Sequence, residues 1–393
     1  MRIVRLLIVL LLSAFVLNGM VRAAEAKAEA AFKMHRVGTH RSEPCGVGDF
    51  NKDGKLDIVA LPFLYLAPEF KSVKICDVAG EVAEDGKGYF DDFMNVPLDV
   101  DGDGWLDVVT CTYFAKKCEW LRNPGTAGGA WPRNLFMENG NYESGELVDV
   151  DGDGKAREIL PAIAETVWYE VRDGAPVKHV LSEKAMTWGV GCGDINGDGR
   201  PDIVRPDAWF EAPADPRAGE WKEHPLDIGN RGKATPDMAQ ILVYDVNGDG
   251  LSDLIASAAH DYGLFWFEQA RQGADISFTK HLIDESWSQV HSLALANLDD
   301  DAELELVAGK RFMAHNGGDP GEFEPLGVYW YDLTRKPTPS WTKHNVTFNE
   351  GVGSGMNIVA EDLDGDGDCD IVVTGKWGGP AWFENTLKPG AQK

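Results

Sequence analysis

The stretch Asp99-Val100-Asp101-Gly102-Asp103-Gly104-Trp105-Leu106-Asp107 determines how the rest of the chain is interpreted. The same alternation of acidic residues and glycines occurs seven times, and its copies start at Asp49, Asp99, Asp149, Asp194, Asp245, Asn297 and Asp362. These starts are 50, 50, 45, 51, 52 and 65 residues apart. A period of this length is typical of a propeller or of another array of supersecondary units.

Each acidic motif is followed by the same order of strand signals. A short β-branched run comes first, as in Val108-Val109, and indicates a buried strand. An aromatic segment such as Phe265-Trp266-Phe267 comes next, and then a third strand that often contains Trp-x-Lys-His, as in Trp341–His344. With the strand that enters the motif, each of the seven units has four strands.

The order of the outer strands predicts how the repeats are joined. The first outer strand, around His35, precedes the first acidic motif, and no such strand follows the seventh. We expect this N-terminal strand to complete the last blade, because ring closure pairs the edges that a linear array leaves exposed. The sequence therefore predicts an all-β protein, a single closed seven-bladed β-propeller with four-stranded blades over residues 27–393. An open β-solenoid is the alternative, but it would not need the displaced strand.

The net charge of the chain excludes some classes of partner. The 393 residues include 37 Lys and Arg against 64 Asp and Glu, a net charge of −27. Nucleic acid and anionic lipid are therefore not expected as partners, because both attract basic surfaces.

The N-terminal segment predicts a signal peptide over residues 1–26, cleaved near 23–26. It has two arginines within residues 1–5, an apolar run over 6–20 and small residues after it. An uncleaved anchor is the alternative, but the run is short for a bilayer span and no later segment predicts stable membrane insertion. We expect a secreted protein, periplasmic or extracellular.

The repeats resemble FG-GAP/VCBS repeats, the calcium-loop units of integrin α-subunits and of many secreted bacterial β-propellers. The resemblance is carried by the seven acidic motifs and covers residues 32–386. It implies the propeller fold. It implies much less about function, because propellers host many activities.

The acidic motifs are expected to bind calcium. In Asp-x-Asp-x-Asp-Gly-x-x-Asp the alternating side chains converge on one point, the glycine allows a sharp turn, and a main-chain carbonyl at position 7 can add a ligand. Oxygen-only coordination with flexible geometry favours Ca²⁺, and solvated turns without metal are the alternative. Five complete loops predict about five structural Ca²⁺ sites. Their side-chain ligands are Asp49, Asn51, Asp53, Asp57, Asp99, Asp101, Asp103, Asp107, Asp194, Asn196, Asp198, Asp202, Asp245, Asn247, Asp249, Asp253, Asp362, Asp364, Asp366 and Asp370.

Two of the seven loops are degenerate, and the cysteines show no metal spacing. Loop three has Arg157 where the last ligand belongs, and loop six lacks both glycines and starts with Asn297. We expect these two loops to bind calcium weakly or not at all. Cys111 and Cys118 could close a small disulfide, and buried free thiols are the alternative.

The histidines separate into two groups. Those at positions 35, 179, 224, 281 and 344 recur on outer strands and are expected to pack structurally, whereas His40, His260, His291 and His315 break the repeat. Because the acidic loops occupy one face of the propeller, a ligand site is expected on the opposite face, at the mouth of the central channel. The sixth unit is distinctive there, because it combines His291 with a long loop at 309–320, and long loops on a rigid scaffold often carry function.

Two sets of candidate residues follow from this placement. The candidates for catalysis are His260, His291, Lys310, Arg311 and His315, and the three histidines among them could also hold an additional metal ion. The candidates for substrate binding are Tyr113, Glu143, Trp188, Arg205, Asp207, Lys376 and Trp377. Aromatic rings stack on sugars, so a carbohydrate or small sugar is the expected partner. The sequence leaves the oligomeric state open.

The histidine before an acidic motif and the tryptophan-rich blades are also similar to the propeller of the aldos-2-ulose dehydratases. That resemblance implies elimination of water from a keto-sugar. Lys310 or Arg311 would stabilise an enolate-like charge, and His291 or His315 would move the proton. Propeller polysaccharide lyases would use the same chemistry on a uronate. The competing interpretation is a non-catalytic glycan- or protein-binding module for adhesion, and a purely structural module is a third.

Overall fold

Thirty β-strands and no helix are found in the residues that the structure, a computed structural model, describes. Those residues are 30–125, 128–138, 140–186, 188–228 and 237–387. The signal peptide predicted for residues 1–26 lies outside them. Within them, no helix is long and apolar enough to cross a membrane. Seven sheets have four strands each and an eighth has two, which confirms the predicted all-β, seven-bladed architecture with four-stranded blades.

The first strand, β1 (Phe32–Arg36), belongs to the last blade, and the chain then builds the blades in order. Blade one contains β2 (Gly46–Gly48), β3 (Asp57–Ala60), β4 (Phe63–Leu66) and β5 (Lys71–Lys74). An inserted hairpin, β6 (Gly80–Val82) and β7 (Gly88–Phe90), follows it. Blade two contains β8 (Met94–Leu98), β9 (Asp107–Cys111), β10 (Lys117–Leu121) and β11 (Arg133–Glu138). Blade three contains β12 (Ser144–Val148), β13 (Glu158–Ala162), β14 (Thr166–Arg172) and β15 (Ala175–Ser182).

The remaining four blades repeat this antiparallel arrangement. Blade four contains β16 (Gly191–Gly193), β17 (Asp202–Arg205), β18 (Ala208–Glu211) and β19 (Lys222–Pro225). Blade five contains β20 (Ile241–Tyr244), β21 (Asp253–Ser257), β22 (Tyr262–Gln272) and β23 (Asp275–Ser288). Blade six contains β24 (Val290–Ala296), β25 (Glu305–Lys310), β26 (Gly327–Thr334) and β27 (Ser340–Phe348). Blade seven contains β28 (Ile358–Glu361), β29 (Asp370–Val373) and β30 (Ala381–Asn385), with β1 as its fourth strand.

The last blade is built from both ends of the described chain. β1 pairs antiparallel with β30, so that Phe32 lies opposite Asn385 and Arg36 lies opposite Ala381. The order β1-β30-β29-β28 puts β1 at one edge of the sheet. A strand from the N-terminal side thus occupies the position that an outer strand fills in the other six blades.

Hydrophobic side chains hold neighbouring blades together. Seven buried clusters exist, and each joins residues of two adjacent blades. One of them packs Ile58 and Tyr65 of blade one against Val372 and Trp382 of blade seven. Because every neighbouring pair of blades shares such a cluster, including the last and the first, the blades form a ring.

A buried carboxylate ties the parts of each blade together. In blade four, Asp202 Oδ2 accepts a hydrogen bond from the Ile195 amide (3.0 Å), and Asp202 Oδ1 accepts one from the Ala212 amide (2.8 Å). Ile195 is the second residue of the acidic loop, and Ala212 follows β18. The same two bonds are made in four other blades, where all these carboxylates are fully buried, by Asp57, Asp107, Asp253 and Asp370.

The two degenerate loops keep part of this arrangement by means of glutamate. In loop three, Arg157 occupies the ninth position, but Glu158 beside it accepts a hydrogen bond from the Val150 amide (3.1 Å). In loop six, Glu305 accepts one from the Leu298 amide (2.7 Å). The longer glutamate side chain reaches the same loop amide, so these blades keep the bond that fixes the loop although their motifs have changed.

The five repeat histidines stack on tryptophans of the neighbouring strand, as structural packing predicts. Their ring centroids lie 3.9 to 4.4 Å apart. His179, for example, lies over Trp168 with an angle of 12° between the rings, and its Nε2 is 3.0 Å from Glu170. His35, His224 and His281 make the same contact with a glutamate two residues after their tryptophan.

The six cysteines are free thiols in the structure. Cys111 and Cys118 lie directly opposite each other on β9 and β10, and both are fully buried. The pair considered for a disulfide is therefore adjacent but not bonded, and it packs in the core between blades two and three.

Replacing a buried loop carboxylate should destabilise the propeller strongly. We expect Asp202→Ala to lower the free energy of unfolding by about 2–6 kcal/mol, because two buried amides lose their acceptor at about 1–3 kcal/mol each. Urea unfolding followed by tryptophan fluorescence measures this, in excess EGTA so that bound ions do not contribute. The exposed Asp275→Ala variant is the control and should stay within about 0.5 kcal/mol of the unmodified protein. Equal stability of the two variants would contradict the role given to Asp202.

Candidate functional site

A cavity of about 330 Å³ opens on the face of the ring opposite the acidic loops. Its walls come from residues that precede the first strand of a blade, such as Glu143 and Trp188, and from residues that follow the second strand, such as Tyr113, His260 and Arg311. The acidic loops join the other ends of these two strands. The cavity has the size of a small-ligand pocket and lies on the face predicted for it.

Five aromatic side chains line the cavity, and we call them the aromatic wall: Tyr89, Phe93, Tyr113, Phe114 and Trp188. Successive ring centroids along it lie 5.3 to 6.4 Å apart, within the range of attractive aromatic pairs. Phe114 is 57% exposed, so the wall extends to the rim. These rings offer a continuous apolar surface to a ligand.

Arg311 is the centre of a charged group of residues at the cavity, which we call the charged wall. Its buried guanidinium forms a bidentate ion pair with the buried Glu43, with Nε 3.0 Å from Oε1 and Nη2 2.7 Å from Oε2. Its Nη1 lies 2.8 Å from His291 Nε2 and 3.7 Å from Glu143 Oε1. Because arginine stays protonated in proteins, its charge is balanced by two carboxylates before any ligand enters.

His291 is held as a neutral imidazole. A guanidinium can only donate, so His291 Nε2 accepts from Arg311 and the ring proton lies on Nδ1. Burial and the charge of Arg311 lower the pKa of His291 to about 4. With one nitrogen accepting and the other protonated, neither is available to take a proton from a ligand. This geometry gives His291 a positioning role toward Arg311.

Glu143 is the carboxylate of this wall that faces the cavity. Burial alone would raise the pKa of Glu143, but the nearby charge of Arg311 favours the ionised form and lowers the pKa below its ordinary value. The side chain is 22% exposed. An ionised oxygen is therefore presented to the cavity at physiological pH.

A second group, formed by His260, His315 and Asp319, lies beside the charged wall. His260 and His315 both line the cavity, and their ring centroids are 4.2 Å apart. The Asp319 carboxylate bridges them, with Oδ1 2.9 Å from His315 Nδ1 and Oδ2 3.3 Å from His260 Nδ1. The structure thus brings four of the five catalysis candidates to one cavity, namely His260, His291, Arg311 and His315.

The fifth candidate, Lys310, is fully buried and holds the loop at 311–326 in place. Its Nζ donates to Ser288 O (3.0 Å), Ser288 Oγ (2.8 Å) and Gly321 O (3.0 Å). Lys376, a binding candidate, is also buried and, like Lys310, donates to backbone carbonyls. Its Nζ donates to Gly88 O and Met313 O and lies 3.7 Å from the centre of the Tyr89 ring. Both lysines support the cavity from behind and do not line it.

Three further binding candidates lie away from the cavity. Arg205 is buried and donates to the carbonyls of Ile163 and Glu165, in the turn between β13 and β14. Asp207 is buried in the turn between β17 and β18. Trp377 packs against the core between blades six and seven. Only Tyr113, Glu143 and Trp188 of the seven binding candidates are brought to the cavity.

Sequence reasoning missed the hairpin of β6 and β7, which supplies Tyr89. It packs against the loop at 311–326, where the Gly88 amide donates to Asn316 Oδ1 (2.9 Å). The hairpin is not part of the repeated unit, so the spacing of the acidic motifs does not predict it. The close spacing of Gly80, Gly86 and Gly88 could have indicated an extra turn, since all three have positive φ.

Comparison with known families gives one match. The FG-GAP-like repeat model matches residues 99–156, which run from the acidic motif of blade two into that of blade three and so cover one full repeat. A comparison with the curated proteins finds no match. The matched unit recurs around a ring of seven four-stranded blades, and the two findings together support an FG-GAP-type β-propeller.

Proposed function

We propose that the cavity binds a carbohydrate and that the protein acts as a secreted sugar-binding propeller. FG-GAP repeats are typical of extracellular or periplasmic proteins and of binding or adhesion modules. The observation that carries the proposal is one cavity lined both by aromatic rings and by charged, hydrogen-bonding groups. A sugar ring has an apolar face of C–H groups and a rim of hydroxyls, so it can use both kinds of group at once.

The charge balance of the cavity favours a neutral sugar over a uronate. Arg311 is already paired with Glu43 and lies 3.7 Å from Glu143. An incoming carboxylate would have to compete with both for the guanidinium, and Glu143 would repel it. The hydroxyls of a neutral sugar can instead donate to Glu143 and accept from Arg311.

Removing one ring of the aromatic wall should weaken sugar binding. We expect Trp188→Ala to raise the Kd at least tenfold, because central aromatic side chains contribute most to such contacts. A glycan array identifies the sugar, and calorimetry measures its Kd. Trp105→Ala is the matched control, since Trp105 lies in an acidic loop on the opposite face under Lys52. Failure of the protein to bind any neutral glycan, or equal binding by both variants, would contradict the proposal.

Sugar elimination is the second candidate function, favoured by the position of Arg311 beside Glu143 at the cavity wall. Loss of water from a keto-sugar places negative charge on the carbonyl oxygen, which Arg311 could stabilise. Glu143 and His260 are the groups at this wall that could accept the proton from carbon. Because His291 accepts from Arg311, the proton transfer first considered for His291 is better assigned to one of these two.

The elimination candidate predicts a loss of turnover with little loss of binding. We expect Glu143→Gln to lower kcat by about 100–10,000-fold, the contribution typical of a general base, with a much smaller effect on sugar Kd because the glutamine oxygen can still accept from a hydroxyl. The absorbance of the unsaturated product reports turnover on keto-sugars and on uronate polymers. The exposed Glu183→Gln variant is the control. Glycan binding by the unmodified protein without any product would exclude elimination and leave the binding proposal intact.

We propose in addition that the acidic loops bind structural Ca²⁺. In loop two, oxygens of Asp99, Asp101 and Asp107 lie within 4.8 Å of one another, a spacing that fits Ca–O distances of about 2.3–2.6 Å. Burial raises the pKa of Asp107 to about 6, and the charges of Asp101 and Asp103 add to this. A divalent cation would relieve that repulsion. Each carboxylate oxygen that accepts one amide keeps a lone pair for the ion.

Arginine side chains distinguish the loops from one another. Arg122 lies 2.5 Å from Asp101 and 3.0 Å from Asp103 in loop two, and Arg217 and Arg200 contact Asp151 in loop three and Asp198 in loop four. Among the described residues, loops one, five and seven have no such arginine contact at positions 3 and 5. We expect Ca²⁺ to bind these three most tightly, because no guanidinium competes for their carboxylates.

Chelation of Ca²⁺ should lower the melting temperature. Each ion that binds only the folded protein stabilises it by about 2.7 kcal/mol at a concentration 100 times its Kd. We therefore expect excess EGTA to lower the Tm by several degrees, and added Ca²⁺ but not Mg²⁺ to restore it. Differential scanning calorimetry measures both steps. An unchanged melting curve in EGTA would count against metal in these loops.

A further inference from the structure

We propose that His260, His315 and Asp319 form a binding site for a divalent transition-metal ion such as Zn²⁺ at the rim of the cavity. Two imidazoles and one carboxylate are a common ligand set for such ions and differ from the oxygen-only set of the acidic loops. The site goes beyond sugar binding, and its test needs no sugar.

The distances suit a single ion. One ligand atom from each of the three residues lies within 4.8 Å of the other two. A tetrahedral ion with metal–nitrogen distances of about 2.0–2.1 Å holds its ligand atoms roughly 3.3 Å apart. Asp319 Oδ1 is 2.9 Å from His315 Nδ1, and Asp319 Oδ2 is 3.3 Å from His260 Nδ1. Small side-chain adjustments would therefore be enough to place an ion among them.

Two of the candidate ligand atoms are buried without a hydrogen-bond partner. His260 Nδ1 and Asp319 Oδ2 each lack one among the described residues, although they are 3.3 Å apart. Buried polar atoms in folded proteins nearly always have a partner. An ion bound by both atoms would supply it.

The charged wall explains why the ion belongs at Asp319 rather than at Glu143. Glu143, His260 and His291 also have ligand atoms within 4.8 Å of one another. However, Arg311 Nη1 lies 2.8 Å from His291 Nε2 and 3.7 Å from Glu143 Oε1, so an ion there would lie against a guanidinium. The charged contacts of the Asp319 carboxylate are to the two histidines alone among the described residues.

The loop that carries His315 and Asp319 is held in place, which a metal site requires. Lys310 Nζ donates to Gly321 O, and Lys376 Nζ donates to Met313 O. The Asp319 amide donates to Glu322 Oε2 at 2.9 Å, and Glu322 is buried. These contacts fix the loop on both sides of His315 without using any ligand atom.

Three protein ligands leave at least one coordination position open, as in catalytic zinc sites. His260 and His315 line the cavity, so the open position would face a bound ligand. The class of ligand expected there is a neutral oxygen donor, such as water, a sugar hydroxyl or a carbonyl. With His260 bound to metal, Glu143 would be the proton acceptor if the cavity catalyses elimination.

Cobalt substitution tests the site directly. Protein without a polyhistidine tag is saturated with Ca²⁺ and titrated with Co²⁺, because four- or five-coordinate sites with nitrogen ligands absorb visible light far more strongly than six-coordinate oxygen sites. We expect one equivalent of strongly absorbing Co²⁺, displaced by Zn²⁺, and at least tenfold weaker binding in His315→Gln and in Asp319→Asn. His315 is 58% exposed, so its variant should fold, and its melting curve checks this.

Two variants complete the test. His281→Gln removes a histidine that pairs with Glu268 on an outer strand, and Glu143→Gln removes the alternative ligand. Both should keep the Co²⁺ signal. Absence of the signal in the unmodified protein, an undiminished signal in His315→Gln and Asp319→Asn, or its loss in Glu143→Gln would each overturn the proposal. Sugar binding is measured separately, so either proposal can fail without the other.

Discussion

The fold depends on one interaction, the buried carboxylate that accepts the amide at the second position of each acidic loop. Five blades use aspartate and also bind the end of the third strand, whereas blades three and six use Glu158 and Glu305 for the loop amide. A buried amide without an acceptor costs about 1–3 kcal/mol, so each carboxylate fixes the loop to the second strand, and the five aspartates fix the third strand as well. The calcium proposed for these loops would further stabilise a loop conformation that hydrogen bonds already fix.

This constraint on one face leaves the opposite face free to vary. There the first-strand entries and second-strand exits of several blades converge on the channel mouth, so residues distant in sequence become neighbours. Glu43 precedes blade one and Glu143 precedes blade three, yet both approach Arg311 of blade six. The ring geometry thus assembles a charged wall that no single repeat contains. Buried lysines then hold the long loop of blade six against this wall.

The positions of residues that follow the repeat pattern can be predicted from the sequence. The positions of residues that break the pattern can be predicted only in part. The period and strand order predict the seven blades, and the loop positions place His260, His291, Arg311 and His315 on the face where the cavity lies. The direction of a side chain cannot be predicted from its position in the repeat. Lys310, next to Arg311, donates to buried carbonyls and does not line the cavity. Glu158 was overlooked because it is displaced by one residue, which its longer side chain compensates. Asp319 lies in an inserted loop and Tyr89 in an inserted hairpin. Neither insertion is part of the repeat, so the repeat pattern does not predict that these residues reach the cavity.

The architecture can be predicted from the sequence alone, because hydrophobic periodicity and recurring turn residues are local signals that each blade repeats. The sequence also predicts that a ligand site lies on the face opposite the acidic motifs. Only the tertiary structure decided which side chains meet there. Arg311, for example, is paired with the carboxylate of Glu43, 268 positions away in the chain. Such contacts depend on closing the ring, and no local pattern encodes them.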